Sequence, residues 1–145
     1  MNVLIKKVRD NAALPTYQTA HSAGLDLSAC IDAPVMLAPH DRAIIPTGIA
    51  IALPAGYEAQ VRGRSGMAAK YGVLPANGVG TIDADYRGEI GVILLNSSDE
   101  PFVVEPGMRV AQLVIAQYEC VTWDEVDELD ITKRGAGGYG STGHR

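Results

Sequence analysis

Apolar and polar residues alternate along much of this chain with the period of two that is typical of β-strands. In residues 48–56 the larger apolar side chains Ile49, Ile51 and Leu53 fall on one face, with alanines between them. Residues 57–62 and 90–94 repeat this alternation. Such stretches predict strands with one buried face.

Breaks that contain glycine or proline cut the chain into many short pieces, a pattern typical of a sandwich, barrel or jelly roll. One stretch differs: SGMAAKYG offers Ser65 as a helix N-cap and Gly72 as a terminator, which predicts one short helix. The last stretch, KRGAGGYGSTGHR, has five glycines and no strand or helix pattern. We therefore expect a β domain over residues 1–132 and a flexible arm over residues 133–145.

Composition narrows the functional classes. The 145 residues fit one domain, and a net charge of −5 provides no basic surface for a nucleic-acid backbone. The longest uncharged run, residues 43–57, is too short and too interrupted by prolines to cross a bilayer. We expect no membrane segment, no secretory leader, and free, buried thiols at Cys30 and Cys120 in a cytoplasmic protein.

Two carboxylates stand out in GTIDADYRGE, a glycine-bounded turn that leads into a predicted strand. Loops held by rigid strands often carry catalytic groups. The apolar Ile82 beside Asp83 suggests that this carboxylate faces a pocket rather than bulk water. The alternative is an ordinary turn in which Asp83 and Asp85 are both solvated.

Two other segments suit anions. Arg64, Ser65 and the free amides at the start of the predicted helix form one candidate, because helix N-termini attract negative charge. The glycine-rich arm offers amides, hydroxyls and an arginine. The alternatives are a simple helix cap with a surface arginine, and a disordered tail.

Taken together, five segments resemble the five motifs of trimeric dUTP pyrophosphatases (dUTPases), in the same order and at similar intervals. They are SAGLDLSA (22–29), GRSGMAAKYGV (63–73), residues 77–96, PGMRVAQLVI (106–115) and RGAGGYGSTG (134–143). The resemblance implies a distorted jelly-roll or β-clip barrel, assembled as a homotrimer. It also implies Mg²⁺-dependent hydrolysis of dUTP to dUMP and pyrophosphate, which supplies dUMP for thymidylate synthesis and keeps uracil out of DNA.

The resemblance assigns chemistry to three residues. Asp83 holds and activates the attacking water, and Gln112 helps to orient the phosphate or the water. Asp26 reaches the metal through metal-bound water, as expected for a cation that loses its hydration shell reluctantly. A purely structural Asp26 is the alternative.

The same resemblance assigns substrate contacts within the β domain. Arg64, Ser65 and Gly66 match residues that contact the phosphate chain. Asn77 matches the asparagine that contacts uracil on a hairpin with no room for a thymine methyl, and Tyr86 matches the ring stacked on deoxyribose. An added 2′-hydroxyl on the sugar would clash with that ring, so the resemblance implies that thymine and ribose are both excluded sterically.

In the arm, the resemblance assigns Arg134 to phosphate, Tyr139 to the face of uracil, and Ser141 and Thr142 to the terminal phosphate. The family uses this segment as a mobile lid that usually crosses to a neighbouring subunit. Tyr139 stands where the family most often has phenylalanine, which affects lid kinetics at most. Gly63 stands where a proline is common, which could loosen the phosphate site.

Two other functions are alternatives to dUTP hydrolysis. The dCTP deaminases share the turn at Ile82 and Asp83 but need a catalytic glutamate on the strand that follows it. This chain has Ile93 at that position, and Glu89 lies too early in the strand. A nucleotide-responsive binding protein would not need catalysis, so the intact Asp83 argues against binding as the only role. Pyrophosphate release from dUTP without ammonia release from dCTP would select dUTP hydrolysis.

Removal of residues 133–145 tests the role of the arm. Ordering a glycine-rich segment costs about 1–2 kcal/mol per residue, so only nucleotide contacts can hold it. We expect truncation to leave oligomer mass and melting temperature nearly unchanged while dUTP turnover falls ~10²-fold or more. Tyr139→Ala should cause part of this loss and Tyr139→Phe almost none. Full turnover by the truncated protein would show that the segment is only a disordered end.

Overall fold

The computed structural model describes residues 1–138, which form eleven strands and one short helix. The elements in chain order are β1 (Leu4–Lys7), β2 (Leu25–Ser28), β3 (Val35–Leu37), β4 (Arg42–Pro46), β5 (Ile49–Ala52), β6 (Tyr57–Arg62), α1 (Ser65–Tyr71), β7 (Val73–Pro75), β8 (Gly80–Ile82), β9 (Gly91–Asn96), β10 (Phe102–Val104) and β11 (Arg109–Gln117). The all-β prediction with a short helix is confirmed. This helix is not long and apolar enough to cross a membrane, and no other helix occurs in residues 1–138.

The strands pair in four antiparallel sheets. The largest has the order β2-β11-β6-β8, and a three-stranded sheet has the order β4-β9-β7. Two-stranded sheets join β1 to β5 and β10 to β3. Most neighbours in these sheets are distant in sequence, so the core forms through long-range pairing rather than through successive hairpins.

The core follows the predicted alternation along β6 and β9. Ile90, Val92 and Leu94 are completely buried, and Ala59 and Val61 are buried on β6. β5 differs from the prediction because Ala50 is buried along with Ile49 and Ile51. The alanine face of β5 is therefore covered as well as its isoleucine face.

The helix begins one residue earlier than predicted. Arg64, in an extended conformation, is the N-cap, and Ser65 is the first helical residue, so the prediction of Ser65 as the cap was wrong. The reason is that the Arg64 carbonyl already accepts the amides of Met67 and Ala68, at 3.0 and 3.1 Å. No side chain caps the helix start. Gly72 ends the helix as predicted, in the left-handed region at φ 65°.

One buried polar side chain ties the end of β9 to its surroundings. The Asn96 amide donates to the carbonyls of Leu37, Ala38 and Glu100, at 3.1, 3.3 and 2.7 Å. Its oxygen accepts the Ser98 amide at 3.0 Å. Asn96 is fully buried, so these bonds replace the water that it loses on folding.

From the end of β11 onward the chain lies outside the four sheets. Residues 117–136 are all exposed, including Trp123 at 90% and Ile131 at 100%. Cys120 lies in this segment and is exposed, so the prediction that both thiols are buried holds only for Cys30. The apolar side chains of this segment therefore have little of their own domain to pack against.

Gly48→Ala tests the packing beside β5. Gly48 has φ 72°, and a Cβ atom there would lie 2.6 Å from both the Ala12 Cβ and the Cys30 Sγ. We expect destabilisation of about 1–3 kcal/mol from overpacking added to backbone strain. Gly56→Ala is the control, because its φ is 84° but nothing lies within 4 Å of the added atom. Urea unfolding that shows equal losses for both variants would contradict the packing argument.

Candidate functional site

A pocket of about 260 Å³ lies beside β8 and brings together three of the predicted site residues. Asn77, Asp83 and Tyr86 line it, together with Glu89 and Ile93. We call this the β8 pocket. Its mouth is open, since Asn77, Asp83 and Tyr86 are all exposed. Asp83 therefore faces a pocket, as predicted, but it is not shielded from water in the single chain.

The turn after β8 holds Tyr86 in place. Its amide donates to the Asp83 carbonyl at 3.1 Å, and its hydroxyl donates to the Glu89 carbonyl at 3.0 Å. The ring packs against Gly88, where any Cβ atom would collide with it. The glycine in this turn is thus needed for close approach of the tyrosine ring.

Asn77 lies on the loop between β7 and β8, where the chain passes from one sheet to another. The amide of Gly78, at φ 72°, donates to the Pro75 carbonyl at 3.1 Å and closes the turn. The Asn77 Nδ2 atom is so close to Gly80 that a Cβ atom there would lie 3.1 Å from it. This loop therefore presents Asn77 at the rim of the β8 pocket.

A second group of polar residues surrounds a buried carboxylate, and we call it the Asp26 cluster (Asp26, Arg64, Arg109 and Gln112). Asp26 is only 5% exposed. Its Oδ2 atom accepts Arg109 Nη1 at 2.9 Å, and its Oδ1 atom accepts Gln112 Nε2 at 3.4 Å. Arg64 Nε lies 3.6 Å from Oδ1. The structure thus brings together three predicted site residues and one that was not predicted.

Strand register explains why these side chains meet. Asp26 on β2 pairs with Gln112 on β11, and Gln112 pairs in turn with Arg62 on β6. Two residues later the chain reaches Arg64, whose Nη1 donates to the Arg109 carbonyl at 2.9 Å. Three adjacent strands therefore deliver the cluster to one end of the largest sheet.

The Asp26 cluster carries a net positive charge, because two guanidinium groups surround one carboxylate. The side chains of Arg64 and Arg109 remain 28% and 47% exposed, so both retain donors for an external anion. Arg109 was missed by the sequence analysis. The available signal was its position three residues before Gln112, in the same motif-like segment.

The two groups of residues do not meet within one chain. Ile82, which precedes Asp83, pairs with Ala59, three residues along β6 from Arg62, the partner of Gln112. Strand rise and strand spacing put Ile82 about 14 Å from Gln112 across the sheet. A single chain thus carries the β8 pocket and the Asp26 cluster at different places.

The remaining predicted residues lie elsewhere. Ser65 and Gly66 are exposed at the start of α1, directly after Arg64. Arg134 is exposed, and its Nε donates to the Gly137 carbonyl at 2.9 Å. Tyr139, Ser141 and Thr142 lie outside the described residues.

An ion pair borders the β8 pocket and was not predicted either. Arg9 Nε and Nη2 donate to Glu89 Oε1 and Oε2 at 2.7 and 3.0 Å, and the Gly48 amide donates to Oε1 at 2.8 Å. The hydrogen bond from Arg9 is the main cause that lowers the pKa of Glu89 below its usual value; burial opposes it and the Gly48 amide adds to it.

Comparison with known proteins gives consistent matches. A family model described as dUTPase matches residues 10–143. The deoxyuridine 5'-triphosphate nucleotidohydrolase of Orientia tsutsugamushi (strain Boryong) is 51% identical, with 99% of each chain covered. That of Rickettsia felis is 55% identical, with 97% of this chain and 96% of the relative covered.

A solved structure extends the similarity to three dimensions. The Staphylococcus bacteriophage 80alpha dUTPase with dUPNHPP is 27% identical, with 98% of each chain covered and a TM-score of 0.89. The predicted jelly-roll type of fold is thereby confirmed.

The depressed pKa of Glu89 predicts a specific pH dependence. The folded state holds this carboxylate ionised below its ordinary pKa of 4.5, so the stabilisation is complete above that pH and is lost as pH falls through the folded-state value. Arg9→Met should therefore flatten the decline of melting temperature between about pH 5 and pH 3. Arg42→Met, at an exposed arginine on β4, should keep the original slope. Equal slopes for both variants would contradict this account of the pKa.

Proposed function

The chain belongs to the dUTPase family, and we propose that it hydrolyses dUTP to dUMP and pyrophosphate. The observation that carries the proposal is the agreement between a family model over residues 10–143 and relatives more than 50% identical over nearly the whole chain. The reaction would supply dUMP for thymidylate synthesis and keep uracil out of DNA. A cytoplasmic location is part of the same proposal.

We assign the general base to Asp83. A general base must reach the attacking water, and an exposed carboxylate at the wall of an open pocket is accessible to water. Closure over bound nucleotide would then exclude bulk water while leaving the one water that Asp83 holds.

The β8 pocket would recognise the base and the sugar. Asn77 at its rim is available to hydrogen-bond a base edge, and the exposed Tyr86 ring offers a face for deoxyribose. Because the Tyr86 hydroxyl and ring are both held by the turn, an added 2′-hydroxyl would meet a fixed surface. Selection of deoxyribose would therefore be steric.

The Asp26 cluster would bind the triphosphate. Arg64 and Arg109 supply exposed guanidinium donors, and the start of α1 at Ser65 and Gly66 adds amides that no side chain caps. Gln112, whose Nε2 lies 3.4 Å from Asp26 Oδ1, would orient a phosphate or its water. This arrangement would concentrate positive charge where the leaving pyrophosphate develops negative charge.

We propose that Mg²⁺ enters this cluster together with the triphosphate, because residues 1–138 contain no group of three or more His, Cys, Asp or Glu side chains that could hold the ion alone. Mg²⁺ keeps several waters and typically binds through one or two carboxylates together with substrate phosphates. Asp26 supplies one carboxylate, and its contacts to Arg64 and Gln112 are long enough to be replaced by a metal-bound water. When bound with the substrate, Mg²⁺ would neutralise part of the triphosphate charge. The role of Asp26 would be to orient that hydration shell.

A homotrimer would complete the site. Ile82, next to Asp83, lies about 14 Å from Gln112 across the sheet. A general base must lie within hydrogen-bond reach of the water that attacks the phosphate, so we propose that a neighbouring subunit supplies one of the two groups. The exposed apolar residues of 117–136 support association, since large apolar exposure marks interaction surfaces. We propose that this segment packs on a neighbour and delivers Arg134, Tyr139, Ser141 and Thr142 to its site.

Deamination of dCTP is the weaker alternative. Glu89 and Ile93 both line the β8 pocket, but only Glu89 has a carboxylate, and Arg9 and the Gly48 amide already engage it. A proton shuttle needs a carboxylate that is free to exchange protons with the substrate. The alternative of nucleotide binding without catalysis leaves the position of Asp83 unexplained.

Asp83→Asn tests the assignment of the base. The amide is nearly isosteric, so nucleotide binding should persist while turnover of dUTP falls ~10²-fold or more. Asp85→Asn is a matched control on the same turn and should keep its activity, because Asp85 has no assigned role. Pyrophosphate release measured with both variants checks this. Turnover by Asp83→Asn close to that of the unchanged protein would contradict the assignment.

A nucleotide panel tests the specificity. We expect kcat/KM for dUTP to exceed that for dTTP, dCTP and UTP, with each wrong feature costing at least about 1–3 kcal/mol. Pyrophosphate and ammonia release would be measured for all four nucleotides. Comparable hydrolysis of UTP would contradict the role of Tyr86, and ammonia from dCTP would favour the deaminase.

A further inference from the structure

We propose that Arg9 and Glu89 act together as a clamp that positions the Tyr86 ring, and that this clamp contributes to the selection of deoxyribose over ribose. The proposal rests on the proposed function of the β8 pocket. Neither residue needs to touch the substrate, so both are positioning residues rather than catalytic ones. Arg9 comes from a segment some eighty residues away from the turn that it holds.

The contacts converge on one residue of the turn. Both carboxylate oxygens of Glu89 accept from the Arg9 guanidinium, at 2.7 and 3.0 Å, in the bidentate geometry that fixes orientation as well as distance. The Gly48 amide adds a third bond to Oε1 at 2.8 Å. The backbone carbonyl of this same Glu89 accepts the Tyr86 hydroxyl at 3.0 Å. Glu89 therefore links the ion pair to the ring.

Backbone hydrogen bonds on both sides of Arg9 hold it within reach of Glu89. The Val8 amide donates to the Gly48 carbonyl at 2.8 Å, and the Ala12 amide donates to the Arg9 carbonyl at 3.2 Å. Gly48 thus binds both the chain before Arg9 and the carboxylate that Arg9 holds. The backbone on both sides of the ion pair is fixed to a common point at the start of β5.

The backbone that follows Glu89 is held by hydrogen bonds that do not involve the ion pair. Directly after Glu89, the Ile90 amide donates to the Ile49 carbonyl at 2.9 Å, and the Ile90 carbonyl accepts both the amide and the hydroxyl of Thr47, at 3.1 and 2.6 Å. Toward Tyr86, the chain passes through Gly88, which is permissive in conformation. The Glu89 side chain anchors the turn on the far side of Gly88, while Arg87 Nη1 braces the near side by donating to the carbonyls of Ala84 and Tyr86, at 2.7 and 2.9 Å.

Charge gives the pairing a second effect. Glu89 lines a pocket proposed for a polyanionic nucleotide, whose negative charge a free carboxylate would repel. Paired with Arg9, the carboxylate is neutralised and both its oxygens are engaged. Loss of Arg9 would therefore weaken the binding of dUTP and UTP alike, while the effect on selectivity comes from the Tyr86 ring.

The first test is Arg9→Met, which keeps an apolar stem of similar length. We expect KM for dUTP to rise about threefold to tenfold, kcat to change less than about twofold, and the dUTP-to-UTP ratio of kcat/KM to fall about tenfold. Arg9→Lys should lie between, because lysine keeps the charge without the bidentate fork. Arg42→Met is the control and should change none of these quantities. An unchanged dUTP-to-UTP ratio in Arg9→Met would overturn the proposal.

A double-mutant cycle separates positioning from general stabilisation. Tyr86→Phe keeps the ring but removes the hydroxyl that bonds to the Glu89 carbonyl. If Arg9 acts through that bond, the double variant should lose no more selectivity than the more affected single variant. Independent losses that multiply in the double variant would overturn the proposal, as would a Tyr86→Phe variant with full selectivity.

NMR does not depend on turnover, so it tests the clamp separately from the proposed hydrolysis of dUTP. NMR of ring-labelled tyrosine, with Tyr86 assigned by Tyr86→Phe, should show a shifted or broadened Tyr86 signal in Arg9→Met but not in Arg42→Met. Such a change in a protein that fails to hydrolyse dUTP would support the clamp and contradict the proposed function. An unmoved Tyr86 signal in a protein that hydrolyses dUTP would do the reverse.

Discussion

The pairing of β11 with both β2 and β6 is the constraint on which the site depends. This nine-residue strand lies between the other two and fixes Asp26, Gln112 and the end of β6 in one row. Because antiparallel register moves in steps of whole residues, a slip of one position would turn Gln112 to the opposite face and separate it from Asp26. The same register places β8, and with it Asp83, toward the other end of the sheet.

Two ion-pair groups in the structure behave differently. In the Asp26 cluster, a buried carboxylate is surrounded by arginines that remain partly exposed, so the pair is satisfied in the free protein and still presents positive charge to an anion. At Glu89, the carboxylate and its arginine engage each other fully, and the result is a fixed turn rather than a binding surface. We therefore assign contact with the ligand to the Asp26 cluster, and positioning of the turn that carries Tyr86 to the Arg9–Glu89 pair.

Local pattern was sufficient for part of this molecule. The alternation of Ile90, Val92 and Leu94 predicted a buried strand face because a strand with one covered face imposes that period. The helix end at Gly72 was predicted because a left-handed terminus favours glycine. The Ser65 cap failed by one residue, since the geometry of the chain leaving β6 placed Arg64 at that position. The burial of Ala50 depends on a covering layer that the strand itself does not specify.

The local sequence pattern could not predict side-chain partners that are distant along the chain. The bonds of Arg109 to Asp26 and of Arg9 to Glu89 join residues more than eighty and about eighty positions apart, and nothing local to either segment specifies them. The resemblance to a family supplied the candidate residues of the site, but the separation of Asp83 from the Asp26 cluster within one chain emerged only from the register of β6, β8 and β11.

The central claim is that a site is completed between subunits, and complementation tests it most directly. Chains with Asp83→Asn and chains with Arg64→Met, each nearly inactive alone, would be co-expressed or refolded together in equal amounts, and dUTP turnover measured. If one subunit supplies the β8 pocket and its neighbour the Asp26 cluster, random assembly should restore about a quarter of full activity, because each site then has two independent even chances of an intact half. No recovery in assembled mixed oligomers would place the whole site within one chain and contradict the account.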